Sequence, residues 1–174
     1  MKYDWFIGID VSKMTLDFNL SHHSNSLIHL QADNTKKGIN SFLAACKKLK
    51  VQFDKTLFCL EYTGIYNENL VKVLNEKKMN IWVEQGLQIK KSLGMARGKS
   101  DKVDALRISE YAYRFQDKCR LWQAPSYALK MLKNLVALRN RLIKAKKLLK
   151  VPVSELAECS SDKKGVSLIT RLNN

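Results

Sequence analysis

The chain has 174 residues, a formal net charge of +15, 45% apolar and 27% charged residues. That length holds one compact domain with an appended element, and the apolar share supports a real core. The charge excess points to a polyanion, most simply nucleic acid, as partner. No apolar run is long enough to span a bilayer and no signal-like segment opens the chain, so a cytosolic protein without membrane attachment is expected.

The elements follow in chain order. "YDWFIGID" is a short apolar run ending in an aspartate, the pattern of a strand buried on both faces. "TLDFNLS" alternates Leu16, Phe18 and Leu20 with Asp17 and Asn19, which predicts a half-exposed strand hairpinned to the first. "NSLIHLQA" continues the meander after a polar turn containing His22 and His23; His29 falls in the same region, which reads as polar turn before metal site. "NTKKGINSFLAACKKLK" carries Ile39, Phe42, Leu43 and Cys46 at helical spacing, with Asn34 or Thr35 as N-cap. "KTLFCLEYTG" predicts a strand ending at Glu61, "YNENLVKVLNEKK" a helix and "MNIWVEQ" a further strand. Strands alternating with helices imply parallel connections, so the expected fold class is α/β, a mixed five-stranded sheet flanked by helices.

From Asp101 onward the pattern is helical. "DKVDALRISEYAYRF" predicts one helix, and after Pro125 the run "SYALKMLKNLVALRNRLIKAKKLLK" predicts a long one. Leu132, Leu135, Leu138, Leu142, Ala145 and Leu149 can share a face in coiled-coil fashion. Between Asp117 and Glu155 there is no acid, whereas Lys133, Arg139, Arg141 and Lys144 stand among the helix's many cations. Such a one-sign helix binds nucleic acid or packs with an acidic partner. The expected division is a domain over 1–117 and a basic helical region with a short tail over 118–174. Cys46, Cys59, Cys119 and Cys159 show no paired spacing and read as reduced thiols.

Four acids stand out by position. Asp10 and Glu61 end strands; Asp101 and Asp104 open a helix three residues apart, on one face of its first turn. Taken singly, each has an ordinary explanation as a strand-end, turn or capping residue. Gathered in a basic protein they fit a site for Mg2+ or Mn2+, hard cations that take carboxylate oxygens together with substrate phosphate. Two such ions can stabilise the attacking and leaving oxygens of a phosphoryl displacement. Lys13, Arg97, Lys99, Lys102 and Arg107 surround these acids in sequence and are candidate phosphate contacts.

"GIDVSK", "LEYTGIY" and "ARGKSDKVDALRI" together resemble the three acidic motifs of the DEDD insertion-sequence transposases, the bridge-RNA-guided recombinases and Piv-type invertases. The resemblance spans about residues 3 to 150. It implies an RNase H-like, RuvC-like fold, with Asp10, Glu61, Asp101 and Asp104 as a catalytic, metal-binding tetrad. It also implies DNA and a guide RNA as partners, self-association through the long helix, and a place in the bacterial cytosol or nucleoid. Family members continue into a second domain with a catalytic serine. The resemblance therefore implies a metal-binding half of a recombinase; a truncated binding and dimerisation module, or a stand-alone metal-dependent nuclease, are the alternatives.

Overall fold

The computed structural model describes residues 2–93 and 100–159. The chain forms two compact units, Met1–Trp122 and Gln123–Asn174. In the first, β1 (Trp5–Val11), β2 (Thr15–His22) and β3 (Asn25–Asp33) form an antiparallel meander, followed by α1 (Lys36–Lys48). Then β4 (Thr56–Glu61) runs parallel to β1, α2 (Glu68–Glu76) crosses over, and β5 (Asn80–Glu84) runs parallel to β4. The order β3-β2-β1-β4-β5 gives the expected mixed five-stranded, RNase H-like sheet. Two further helices follow, α3 (Gly86–Leu93) and α4 (Asp101–Arg114).

Alternation along each strand divides the core into two layers. Ile7, Ile9, Phe18, Phe58 and Leu60 point to the side of α1 and α2, meeting Ile39, Phe42, Leu70 and Leu74. Phe18 and Phe42 stack there with ring centroids 3.8 Å apart. On the other face Phe6, Leu57, Cys59 and Trp82 meet Ile89 of α3 and Ile108, Tyr111 and Ala112 of α4. The helix α1 starts where its sequence says it should, with Thr35 accepting from the Gly38 N–H at 3.1 Å.

Three local expectations need correction. The strand β2 is buried on both faces, because α4 covers the side carrying Asp17, Asn19 and Ser21. These polar residues are not solvent-facing: Ser109 of α4 donates to Asn19 Oδ1 at 2.8 Å and lies 3.2 Å from the Ser21 hydroxyl. His29 belongs to β3 and contacts Asp17 through Nε2 at 2.8 Å, so it is not a turn residue. Tyr66, the first residue of the stretch expected to be helical, instead sits exposed in a short 3-10 turn, Gly64–Asn67, ahead of α2.

In the second unit α5 runs from Tyr127 to Cys159, continuing through Pro152 where the sequence suggested a stop near Lys150. Proline removes one backbone donor and crowds the preceding turn, but leaves later helical bonds available. Leu132, Leu135, Leu138, Leu142 and Leu149 are all exposed along this helix. Among the described residues no helix is long and apolar enough to cross a membrane.

Candidate functional site: converging carboxylates at one edge of the sheet

Asp10 lies on the α4 face of β1, the face that also carries Phe6 and Gly8. Glu61 lies on the same face of β4, in step with Leu57 and Cys59. The parallel pairing runs to Ile9 opposite Leu60, so Asp10 and Glu61 occupy the next rung, side by side at the carboxyl ends of their strands. The Glu61 carboxylate lies against the start of α3: a Cβ added to Gly86 would fall 1.8 Å from its Oε1. A larger residue there would push that carboxylate from this position.

The other two acids arrive on α4. Ser100 caps this helix, its Oγ accepting from the Val103 N–H at 3.3 Å, which sets Asp101 and Asp104 in the first turn. The helix presses onto β1 at Gly8, where a Cβ would lie 2.2 Å from both the Ala105 oxygen and the Ser109 nitrogen. Gly8 is two residues before Asp10 on the same face, and Ala105 directly follows Asp104. The close approach therefore brings the start of α4 over the end of β1.

Electrostatics record the convergence. Burial pushes the Asp10 carboxyl up to about 6, and the nearby charges of Asp104, Asp101, Glu61 and Asp17 push it in the same direction. Carboxylates from two strands and one helix thus act on a single half-buried group. The donor set is all oxygen, as Mg2+ or Mn2+ prefers. Among the described residues no three His, Cys, Asp or Glu side chains are already closed around one point. The acids converge without forming a finished cage.

Asp17 is the acid that sequence reasoning passed over. It pairs directly with Asp10 across the β1–β2 hairpin and is buried, held by His29 and by Gln31 Nε2 at 3.1 Å. The signal was present: a turn between Val11 and Leu16 puts residues 10 and 17 opposite each other and on one face.

The candidate phosphate contacts are more dispersed. Lys13 is exposed in the turn after β1, and Lys102 is exposed on α4. Arg107 is half-buried and engaged in an interaction of its own. Arg97 and Lys99 lie outside the described residues. Lys133, Arg139, Arg141 and Lys144 are exposed on α5, in the second unit. Around the acids, Tyr62, Ile65 and Met14 are exposed large side chains. The thiols stand apart from this chemistry: Cys46 and Cys59 are buried, and burial pushes Cys46 up to about 12.

Comparison with solved structures finds similarity to RuvC from Thermus thermophilus in complex with a Holliday junction substrate, at 15% identity. It covers 69% of this chain and all of that one, with a TM-score of 0.48. A second Thermus thermophilus RuvC structure matches at 13% identity, over 68% of this chain and 99% of that one, with a TM-score of 0.49. A Bacteroides thetaiotaomicron protein with an actin-like ATPase fold and unknown function matches at 16% identity, over 55% and 39% of the two chains, with a TM-score of 0.43. Comparison with curated proteins finds no match. The model of the IS110-type DEDD transposases, described as "Transposase", matches residues 7–156. With most of its length matched, the chain belongs to the DEDD transposase family of the IS110 type.

Proposed function

We propose that the sheet domain is the metal-dependent catalytic part of a DNA transposase or recombinase. In this reading Asp10, Glu61, Asp101 and Asp104 hold one or two divalent cations, Mg2+ or Mn2+. The observation that carries the reading is the placement of Asp10 and Glu61 side by side at adjacent strand ends, with the first turn of α4 that bears Asp101 and Asp104 pressed onto the same face. The raised Asp10 carboxyl reflects burial together with the mutual repulsion of these acids. Such repulsion is costly in a resting protein and becomes favourable when cations occupy the gap. A bound cation would supply charge stabilisation for the phosphoryl oxygens during strand cleavage and rejoining. The protein's own part is to hold the acids in place, to desolvate Asp10 and to offer Lys13 and Lys102 to the DNA backbone.

The helix α5 is the second half of the proposal. From Tyr127 to Lys150 its charge is of one sign, which suits DNA and a guide RNA, and its exposed leucine stripe suits pairing with a second copy of the chain. The alternative is a module that binds nucleic acid and dimerises without catalysis.

Calorimetric titration of Mn2+ into the full chain and into the Asp101→Asn/Asp104→Asn double variant separates the two. Saturable binding in the parent that the variant loses supports the catalytic reading. Equal heats from both chains leave the binding module. Divalent-metal-dependent nicking of a branched DNA by the chain alone would further assign it a self-sufficient resolvase activity.

A further inference from the structure

At the end of the sheet where the acids meet, a chain of hydrogen bonds crosses from the turn after Asp10 to Glu61. Asn34, between β3 and α1, is buried, and its Nδ2 donates to the Ser12 and Tyr66 carbonyl oxygens at 2.9 Å each. Its backbone N–H donates to the Met14 oxygen at 2.8 Å, and its own carbonyl accepts from Asn69 Nδ2 at 3.2 Å. Asn67, at the end of the same 3-10 turn as Tyr66, is also buried. Its Nδ2 donates to the Glu61 carbonyl at 2.9 Å, and its Oδ1 accepts from the Thr63 hydroxyl. The path therefore runs Ser12, Asn34, Tyr66, Asn67, Glu61.

We propose that Asn34 and Asn67 are positioning residues that fix the spacing of the Asp10 and Glu61 carboxylates where sheet pairing ends. This rests on the reading of those two acids as cation ligands. Pairing of β1 with β4 ends at Ile9 opposite Leu60, so Asp10 and Glu61 lie just past the last paired rung between these strands, with no further rung beyond them. Like charges placed there push the strand ends apart. The asparagine bridge opposes that splay from the outside, through the main-chain oxygens of Ser12, two residues past Asp10, and of Glu61 itself. Asn34 is specialised for donation. Both of its amide partners are carbonyls, so its orientation is fixed, while its Oδ1 is buried and accepts no hydrogen bond among the described residues. An orphaned acceptor carries a desolvation cost, and what the position gains in return is the two-carbonyl grip.

The test is Mn2+ affinity by calorimetry on the full chain, for Asn67→Ala, Asn34→Ser and a matched control. Asn80 provides the control: its Nδ2 donates to the Asp54 and Thr56 carbonyls at 3.3 and 3.2 Å, at the opposite end of β4. Circular dichroism and urea unfolding accompany each titration. Asn67→Ala is expected to weaken Mn2+ binding roughly 10- to 100-fold, as changes next to a metal's ligands generally do, with Asn80→Ala unchanged. Asn67→Ser, which keeps a small donor, is expected to recover part of the affinity. The inference is overturned if both clamp variants bind Mn2+ like the parent, or if Asn80→Ala loses as much. It also fails if Asn67→Ala and Asn67→Ser both unfold where Asn80→Ala is folded, because Asn67 is then a stability residue. A parent chain that shows no saturable Mn2+ binding overturns the cation-site reading itself, a separate result.

Discussion

Replacing Asp10 by asparagine should stabilise the cation-free protein, and only above acid pH. The folded carboxyl titrates at about 6 against an ordinary 3.8, so the folded state holds a proton that the unfolded chain releases between those values. The stability this proton provides is complete below about pH 4 and is lost as pH rises through about 6. Each pKa unit is worth about 1.4 kcal/mol, which gives about 3 kcal/mol for the raised Asp10, reduced to about 1–3 kcal/mol because water reaches part of the side chain. The cluster titrates together, so the transition should be broad. Asn keeps the shape and removes the charge. Urea unfolding in EDTA, read by tryptophan fluorescence, is a clean assay because Trp5, Trp82 and Trp122 all lie in the sheet unit. Asp10→Asn should gain stability at pH 8, gain little at pH 4, and lose its advantage when excess Mn2+ is added. An equal loss of stability at both pH values would refute the account, since Asp10 would then be a structural hydrogen-bonding residue and not a strained charge.

Other outcomes follow from the same geometry. Gly8→Ala must displace backbone atoms of α4 that lie 2.2 Å from the new methyl, and should cost about 3 kcal/mol or more in urea unfolding, at the high end for overpacking. Ser109→Ala removes the donor to Asn19 and should cost about 1–2 kcal/mol, since Ser21 still donates to the same Asn19 oxygen at 3.0 Å. Replacing Lys133, Arg139, Arg141 and Lys144 by alanine should weaken DNA and RNA binding without sequence preference. If all four touch phosphates, the slope of log K against log salt on duplex DNA should fall by about 3–4; an unchanged slope would remove α5 from the interface.

The strands and three of the core helices were legible because their apolar periods are strong. Ile7, Ile9 and Phe18 declared one layer, and Ile39, Phe42 and Leu43 its cover. What the sequence hid depends on tertiary partners. The alternation of β2 looked half-exposed because nothing local reveals that α4, more than 80 residues later, would bury Asn19 and Ser21 with a serine of its own. The helix α3, eight residues long, is too short to show a reliable period. The candidate acids were visible as strand ends and a capped helix start, and the structure brings their charges to bear on Asp10. Asn34 and Asn67 were not visible as a bridge, because asparagine near a turn or helix start has its own local explanation and their shared path appears only in three dimensions.

The serine–asparagine contacts beneath α4 also set the helix's rotational phase. An interface of leucines and alanines tolerates slippage, because one methyl group replaces another at small cost. A slip of one residue turns a helix by about 100° and advances it about 1.5 Å, enough to carry Asp101 and Asp104 away from Asp10. Ser109 cannot follow such a slip without abandoning Asn19 and leaving a buried acceptor poorly served. The seam therefore acts as a detent. Variation of the apolar residues around it should retune stability while leaving the angular setting of the two aspartates unchanged.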